Sequence, residues 1–188
     1  MNKNILLCGV GGQGIVLTSK LTAAAAMEKG YDVMSAETIG MAQKGGSVFS
    51  FLRIGEDIYS PMFGEKAADI IIAFEPAEAV RMISYLKYDG CVIVNTHPVM
   101  PVTAALKSGN YDGNEMIEYL RQNVKNLITV DGNKACNEIG SPKVLNMIML
   151  GAAVKSGVLP FTTDDIIGIM EKTVKPRFIE MNRKALML

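Results

Sequence analysis

Three glycines near the N-terminus carry the clearest chemical signal in the sequence. Gly9, Gly11 and Gly14 fit the spacing G-x-G-x-x-G and follow an uncharged run at residues 5–8 that predicts a buried strand. Residues 15–29 contain no Gly or Pro and predict a helix. A strand, a glycine turn and a helix in this order present backbone N–H groups to an anion. The same glycines also suit a tight turn that binds nothing.

The second predicted strand covers residues 31–36, and an acidic residue follows it directly. Glu37 lies 23 residues after Gly14, close to the spacing at which a carboxylate binds a ribose hydroxyl in dinucleotide sites. Together with the glycine turn, it would suit a stand-alone NAD- or FAD-dependent oxidoreductase. The alternative is that Glu37 begins the next loop and hydrogen-bonds to backbone there.

A second glycine-rich segment spans residues 37–46. It has three glycines in ten residues and no clean periodicity, which predicts a loop. Lys44 stands beside Gly45 and Gly46, where its ammonium group could bind a phosphate or a carboxylate or could remain solvated. The two glycines let a ligand or another chain approach the backbone closely.

The sequence contains no reacting set of side chains of its own, so no catalytic residue is predicted. His97 is the only histidine and stands in a Thr-His-Pro turn, which indicates an ordinary loop residue. Glu75 and Glu78 flank Pro76 at the end of a predicted strand, where α/β sites are usually built. Acids in a first helical turn also suit the helix dipole, and we prefer that interpretation.

Cysteine spacing and charge balance exclude further classes of function. Cys8, Cys91 and Cys136 lie far apart and form no C-x-x-C pair, so we expect no iron–sulfur cluster and no other metal in this chain. Lys and Arg total 19, as do Asp and Glu, which argues against nucleic-acid and membrane partners. We expect a cytoplasmic protein, since no signal peptide or membrane span is apparent.

The order of predicted elements favours an α/β fold, three-layered and Rossmann-like. We expect a mostly parallel sheet with an antiparallel hairpin, followed by C-terminal helices. Residues 47–54 alternate in polarity and are expected to turn at residues 55–57 into a partner strand at Ile58 and Tyr59. Buried strands are predicted at residues 69–74 and 91–95, with a helix between them.

The second half of the chain changes from alternating elements to helices. Residues 96–113 predict an irregular segment, residues 114–126 a helix and residues 127–131 a final strand. Three further helices are expected to open at Ser141-Pro142, Thr162 and Pro176. The last is expected to carry Phe178, Met181, Ala185 and Leu188. No linker or repeat appears, so residues 1–188 are predicted to form a single domain.

The two glycine motifs, taken in order, resemble a known family. Residues 9–14 (Gly-Val-Gly-Gly-Gln-Gly) and residues 37–47 (Glu-Thr-Ile-Gly-Met-Ala-Gln-Lys-Gly-Gly-Ser), with Asn146 and Gly151 in the predicted buried helix, resemble the gamma-type subunit of 2-oxoacid:ferredoxin oxidoreductases. Within that family, the chain is most similar to the beta subunit of indolepyruvate:ferredoxin oxidoreductase. It departs from members that carry His at Ile39 and Arg at Lys44, so the 2-oxoacid used stays open.

The resemblance implies an accessory role in a complex that decarboxylates a 2-oxoacid oxidatively, forms an acyl-CoA and reduces ferredoxin. Thiamine diphosphate, Mg²⁺ and iron–sulfur clusters would belong to a large partner subunit, coenzyme A would bind in the complex, and this chain alone would be inactive. A stand-alone nucleotide-binding module remains an alternative, as does the NAD- or FAD-dependent enzyme. The residues expected to line the substrate and coenzyme A approach, or a subunit interface, are Gly9, Gly11, Gly12, Gln13, Gly14, Glu37, Thr38, Gly40, Met41, Gln43, Lys44, Gly45, Gly46 and Ser47.

Overall fold

A computed structural model describes residues 2–38, 45–100 and 111–188. The strands are β1 (Lys3–Val10), β2 (Asp32–Glu37), β3 (Ser47–Gly55), β4 (Ala68–Ala73), β5 (Leu86–Asn95) and β6 (Asn126–Val130). The helices are α1 (Ile15–Glu28), α2 (Pro76–Met82), α3 (Gly113–Asn123), α4 (Gly132–Ile139), α5 (Leu145–Lys155), α6 (Thr163–Thr173) and α7 (Pro176–Met187). Short 3₁₀ turns at Ile83–Tyr85 and Pro142–Val144 complete these elements.

The six strands form one sheet in the order β2-β3-β1-β4-β5-β6. Strands β1, β4, β5 and β6 are parallel, whereas β3 runs antiparallel to both β1 and β2. The uncharged runs Ile5 to Cys8 and Ile70 to Ala73 lie at the centre and are fully buried, as a strand covered on both faces requires. The predicted fold class, including its antiparallel pair, is confirmed.

The partner predicted for the hairpin is wrong. Residues 58–59 form no strand, because β3 already pairs with β2 on one side and with β1 on the other. After Gly55 the chain leaves the sheet, and the Arg53 side chain donates a 3.0 Å hydrogen bond from Nη1 to the Ser60 carbonyl. The antiparallel hairpin of this fold is therefore formed by β2 and β3.

Several element boundaries also differ from the prediction. β5 begins at Leu86 rather than at residue 91, and its pairing with β4 shifts register between Ala68 and Ile70. α3 ends at Asn123, and β6 covers Asn126–Val130. α4 was not predicted, although Asp131 caps its first turn by accepting from the Lys134 N–H. Eight residues offer too short a pattern for periodicity to detect.

Helices cover both faces of the sheet. On one face α1, α5, α6 and α7 pack against strand side chains that include Ile70, Ile72 and Ile93. On the other face α2 and α3 pack against Ile71 and Val92. The predicted three-layer arrangement is thus confirmed, with the carboxyl ends of the parallel strands free to build a site.

The C-terminal helices begin as their capping residues predict. Thr162 and Asp165 form the expected capping box, and Pro176 stands in the first turn of α7. The apolar residues of this C-terminal segment differ in burial: Ala185 is buried and Met181 packs against the core, whereas Phe178 and Leu188 are exposed. Leu186 is buried instead, next to α5.

α5 is buried on nearly all sides, as its apolar sequence predicts. Gly151, near the middle of this helix, lets α7 approach so closely that a Cβ atom at this position would lie 2.2 Å from the Leu186 carbonyl oxygen. That oxygen belongs to the backbone, so it cannot move without shifting α7. In the described parts of the chain, every helix is too short or too polar to cross a membrane.

Replacing Gly151 by Ala should therefore destabilise the protein. We expect a loss of about 1–3 kcal/mol in the free energy of unfolding, because the added methyl group overpacks the contact between α5 and α7. The matched control is Gly168→Ala in α6, where a Cβ meets no atom within 4 Å. There the helix should gain about 0.5–1 kcal/mol. Urea unfolding measures both, and an unchanged midpoint for Gly151→Ala would contradict the packing described.

Candidate functional site

The glycine turn lies at the carboxyl end of β1 and is fixed by the side chain of Gln13. Gln13 Oε1 accepts a 2.7 Å hydrogen bond from the Val10 N–H, and Gln13 Nε2 donates a 3.0 Å bond to the Phe74 carbonyl. The Gly11 N–H donates to the Gly46 carbonyl at 2.9 Å. One amide side chain therefore joins the turn to the end of β4, and one backbone bond joins it to the second glycine segment.

Two of the glycines are required by close packing. A Cβ atom on Gly9 would lie 2.8 Å from Phe74 Cβ, and one on Gly14 would lie 2.9 Å from Asn146 Cβ. Gly14 also has φ +87°, a left-handed conformation that side chains disfavour. Gly12 differs, since a Cβ there would meet only open space. The turn thus holds β1 close to α1 and presents its tip outward.

The partial positive charge at the N-terminus of α1 is not compensated by side chains of the helix itself. Gly14 caps it without a side chain, and the first turn contains no acidic residue. Asn146, on α5, is only 5% exposed, and a Cβ on Gly14 would lie 3.4 Å from its Nδ2 atom. A buried amide beside an uncapped helix N-terminus can stabilise a bound anion.

The structure places one end of the second glycine segment, at Gly46, against this turn and the other end, at Thr38, beside Phe49 of β3. Thr38, after β2, is bonded through its N–H and hydroxyl to the backbone of Phe49. Gly45 and Gly46 lead into Ser47, the first residue of β3. Of the predicted site residues, Gly40, Met41, Gln43 and Lys44 lie outside the described residues, as does Ile39.

Glu37 ends β2 and is half-buried there. Because β3 lies between β2 and β1, Glu37 stands two strand spacings, or about 10 Å, from the line of the glycine turn. In dinucleotide-binding folds, the strand that carries the ribose-binding acid is the direct neighbour of the glycine strand. The inserted antiparallel strand therefore removes the geometry that the ribose-binding interpretation requires.

Two buried carboxylates begin α2, directly beside the turn. Glu75 is 2% exposed and Glu78 is 5% exposed. Glu75 Oε2 accepts a 3.0 Å hydrogen bond from the Glu78 N–H, which agrees with the predicted helix-capping role. Glu78 in turn accepts from the Ser47 hydroxyl and lies 3.4 Å from Arg81 Nε. Glu78 therefore holds the start of β3 beside the glycine turn.

Glu75 also connects two segments that are distant in sequence. Its Oε1 atom accepts hydrogen bonds from the Tyr111 hydroxyl and, at 3.4 Å, from the Val99 N–H. The Tyr111 oxygen further accepts from the Ala77 N–H at 3.1 Å. Burial, and then the hydrogen bond to Glu75, raise the pKa of the Tyr111 phenol. The phenol is therefore a donor, and its hydrogen bond compensates a carboxylate that is removed from water.

The cysteines do not supply a nucleophile. Burial raises the pKa of the Cys8 thiol well above its ordinary value, and the charges of Glu78 and Glu75 raise it further. Burial also raises the pKa of Cys91 and Cys136. Only thiolates attack electrophiles or bind metals, so all three groups are inert at neutral pH.

In the described part of the chain, neither His97 nor any cluster of potential metal ligands adds a reactive group. His97 is exposed, and its Nδ1 atom lies 3.0 Å from Asn133 Nδ2, in line with the loop role predicted from sequence. No three His, Cys, Asp or Glu side chains among residues 2–38, 45–100 and 111–188 come together as a metal site would require. What remains at this edge is a surface that can bind and orient a ligand.

Sequence reasoning missed one organising residue, Asn95. It is buried at the end of β5, donates from Nδ2 to the Phe74 carbonyl at 3.1 Å, and accepts from the Gly132 N–H at 3.1 Å. An amide side chain that directly follows a buried strand was the available signal, because it stands where the parallel strands end. Asn146 was noticed only through the family resemblance.

A comparison with protein families decides the assignment. The family model for pyruvate ferredoxin/flavodoxin oxidoreductase matches residues 4–188. The chain belongs to this family. The resemblance drawn from the two glycine motifs is thereby confirmed.

Individual relatives agree with the family assignment. The chain is 37% identical over 187 residues to the indolepyruvate oxidoreductase subunit IorB of Archaeoglobus fulgidus, covering 99% of this chain and 92% of that one. It superposes on the pyruvate oxidoreductase subunit PORC of Thermotoga maritima with a TM-score of 0.72 and 25% identity, covering 99% and 93% of the two chains.

A third relative shows the same fold inside a longer chain. The 2-oxoglutarate:ferredoxin oxidoreductase of Magnetococcus marinus matches with a TM-score of 0.72 at 17% identity. The match covers 98% of this chain but 30% of that one. At this identity the likeness concerns the fold alone.

The bond between Tyr111 and Glu75 can be tested by stability. Tyr111→Phe should lower the free energy of unfolding by about 1–2 kcal/mol, because a buried carboxylate loses a donor and the Ala77 N–H loses its acceptor. Tyr59→Phe is the matched control, since Tyr59 is 86% exposed and should change stability by less than about 0.5 kcal/mol. Equal effects in thermal unfolding would refute the role given to Tyr111.

Proposed function

We propose that this chain is an accessory subunit of a 2-oxoacid:ferredoxin oxidoreductase of the indolepyruvate or arylpyruvate type. The complex would decarboxylate its 2-oxoacid oxidatively, transfer the acyl group to coenzyme A and pass the electrons to ferredoxin. One observation carries the proposal: two glycine segments meet beside an uncapped helix N-terminus and a buried amide, where no described residue offers a nucleophile. The family match over residues 4–188 supports it.

The contribution of this chain would be binding and orientation. An anionic group of coenzyme A would lie at the N-terminus of α1, where backbone N–H groups and the Asn146 amide can donate to phosphate oxygens. The tip of the turn at Gly12 faces open space and leaves room for that approach. The predicted lining residues of both glycine segments, including Lys44, would complete this surface.

The cofactors of the reaction would belong to a large partner subunit. Thiamine diphosphate with Mg²⁺ supplies carbanion chemistry, and iron–sulfur clusters carry electrons. The described residues do not fit an iron–sulfur cluster, since the three cysteines are buried separately and burial raises the pKa of each thiol. This subunit would therefore bind and orient the substrates, and cofactors held by the partner subunit would transform them.

The wider description of the protein follows the same proposal. We propose that residues 1–188 form a single gamma-type domain, which one continuous sheet and the near full-length family match support. It would assemble as a hetero-oligomer with the thiamine- and cluster-bearing subunit, in the cytoplasm. A stand-alone dinucleotide enzyme is disfavoured, because β3 separates Glu37 from the glycine strand.

The division of labour predicts that the isolated chain is inactive. Purified alone, it should not couple 2-oxoacid oxidation to ferredoxin reduction, whereas co-expression with the large thiamine-binding subunit should restore activity. Reduction of a viologen dye under anaerobic conditions measures this. NAD reduction by the lone chain would instead support the dinucleotide enzyme and contradict the proposal.

The binding role of Asn146 has its own signature in the active complex. Asn146→Ala should raise KM for coenzyme A by roughly five- to tenfold and leave KM for the 2-oxoacid within about twofold, since one amide donor to a charged oxygen is lost. Asn123→Ala is the matched control, because Asn123 is exposed at the end of α3. If only KM for the 2-oxoacid rises, the anion bound beside Asn146 is the 2-oxoacid and not coenzyme A.

A further inference from the structure

Glu78 contacts both of the strands that meet at the glycine turn. Its Oε2 atom accepts a 2.5 Å hydrogen bond from the Ser47 hydroxyl, at the start of β3. Its backbone carbonyl accepts from the Cys8 thiol of β1 at 3.6 Å. Its backbone N–H donates to Glu75 Oε2 at 3.0 Å. The backbone of Glu78 is thus fixed on both sides, and its carboxylate has a defined position beside the ends of β1 and β3.

The helix dipole alone does not account for this carboxylate. An acid that serves only a helix N-terminus can stay in water and still interact favourably with the dipole. Glu78 is instead 5% exposed, and a buried charge is unfavourable unless hydrogen bonds or an opposite charge compensate it. Within the described parts of the chain, its carboxylate contacts the Ser47 hydroxyl and Arg81, but no backbone N–H of α2. It is therefore directed at β3 and not at the backbone of its own helix.

Ser47 connects this carboxylate to the glycine turn. It pairs with Val10 across the antiparallel ladder and directly follows Gly46, whose carbonyl accepts from the Gly11 N–H at 2.9 Å. A hydroxyl has one proton, so Ser47 cannot donate to a ligand while it donates to Glu78. The contacts from Glu78 through Ser47 and Gly46 to Gly11 form a continuous link between a buried acid and the backbone of the turn.

Arg81 balances the charge of this buried acid. Its Nε atom lies 3.4 Å from Glu78 Oε1, and its side chain is 62% exposed. An uncompensated carboxylate behind an anion-binding surface would repel the anion. Because Arg81 offsets that charge, Glu78 can hold Ser47 in place without opposing the binding of an anion at the turn.

We propose that Glu78 is a positioning residue for coenzyme A. Through Ser47 and Gly46 it fixes the Gly11 end of the turn, and so fixes the direction of the backbone N–H groups that receive an anionic group. The inference rests on the proposed function, which places an anionic group of coenzyme A at this turn. Donors that are already fixed bind more tightly, because less freedom is lost on binding. Glu78 itself contacts neither the coenzyme nor the reacting atoms.

Ser47→Ala tests the link in the active complex. Loss of the hydroxyl should raise KM for coenzyme A about three- to tenfold and leave kcat within about twofold, the pattern of lost binding. Ser47→Thr keeps a hydroxyl and should restore KM to within about twofold of the wild-type value. The matched control is Ser50→Ala, since Ser50 is a buried serine of the same strand whose hydroxyl lies 3.4 Å from that of Ser19 on α1. Its KM for coenzyme A should not change, and equal effects of the two alanine variants would overturn the inference.

A double variant separates positioning from direct contact with the coenzyme. If Ser47 acts together with Glu78, Ser47→Ala combined with Glu78→Ala should raise KM for coenzyme A no further than the stronger single variant does. If Ser47 binds coenzyme A itself, the two effects multiply, and the positioning role is wrong. Thermal unfolding checks that Glu78→Ala folds. If it does not, the three serine variants and the exchange measurement below decide the question.

Hydrogen exchange follows the same link in the full chain without coenzyme or partner. In Ser47→Ala, the Gly11 amide should exchange at least about threefold faster than in the wild type, because its acceptor at Gly46 is less firmly held. In Ser50→Ala and Ser47→Thr, its rate should stay within about twofold of the wild-type rate. An unchanged Gly11 rate in Ser47→Ala would overturn the inference.

The outcomes separate this inference from the proposed function. If the wild-type complex oxidises a 2-oxoacid with coenzyme A and Ser47→Ala has normal kinetics, only the positioning role is wrong. If the wild-type complex does not use coenzyme A, both proposals fail. A raised KM for coenzyme A with unchanged kcat, together with faster exchange at Gly11, would establish the role of Glu78.

Discussion

The carbonyl of Phe74 is the acceptor on which the candidate site depends. It receives the Gln13 amide at 3.0 Å and the Asn95 amide at 3.1 Å, so one oxygen joins the ends of β1, β4 and β5. The oxygens of both amides accept from backbone N–H groups, that of Gln13 from Val10 at the end of β1 and that of Asn95 from Gly132 at the start of α4. The parallel strands therefore end at a common edge with their loops held in place, and that edge supplies fixed N–H groups rather than reactive side chains.

The buried acids extend this network outward. Glu75 and Glu78 lose hydration; Glu75 is compensated by three hydrogen-bond donors, and Glu78 by the Ser47 hydroxyl and the partly exposed Arg81. Breaking one donor leaves a charge uncompensated, which costs more than the bond itself contributes. The start of β3 and the backbone near Val99 and Tyr111 are thus held by the same two carboxylates. This makes the acids structural supports of the edge and argues against a proton-transfer role.

Much of the fold follows from local pattern, but the pairing of β3 does not. The buried strands, the capping box and Pro176 were predicted because each depends on a few adjacent residues. The partner of β3 depends on which sheet edge is open, and that is decided by β1 and β2 together. The glycine turn was recognisable for similar reasons. The contact between Gly14 and Asn146 joins residues more than a hundred positions apart, so no local pattern predicts it, and Asn146 itself was named only through the family resemblance.

The position of β3 also separates the functional alternatives. A glycine turn followed by an acid describes both a dinucleotide enzyme and this family, and the sequence spacing of Glu37 cannot distinguish them. An antiparallel strand inserted between the two elements moves the acid away from the turn and brings the second glycine segment to it, through the bond from Gly11 to Gly46. Because of this strand order, the glycine turn has a second glycine-rich segment beside it, where a dinucleotide-binding fold has the ribose-binding carboxylate. That replacement favours a subunit that receives a ligand for chemistry carried out elsewhere.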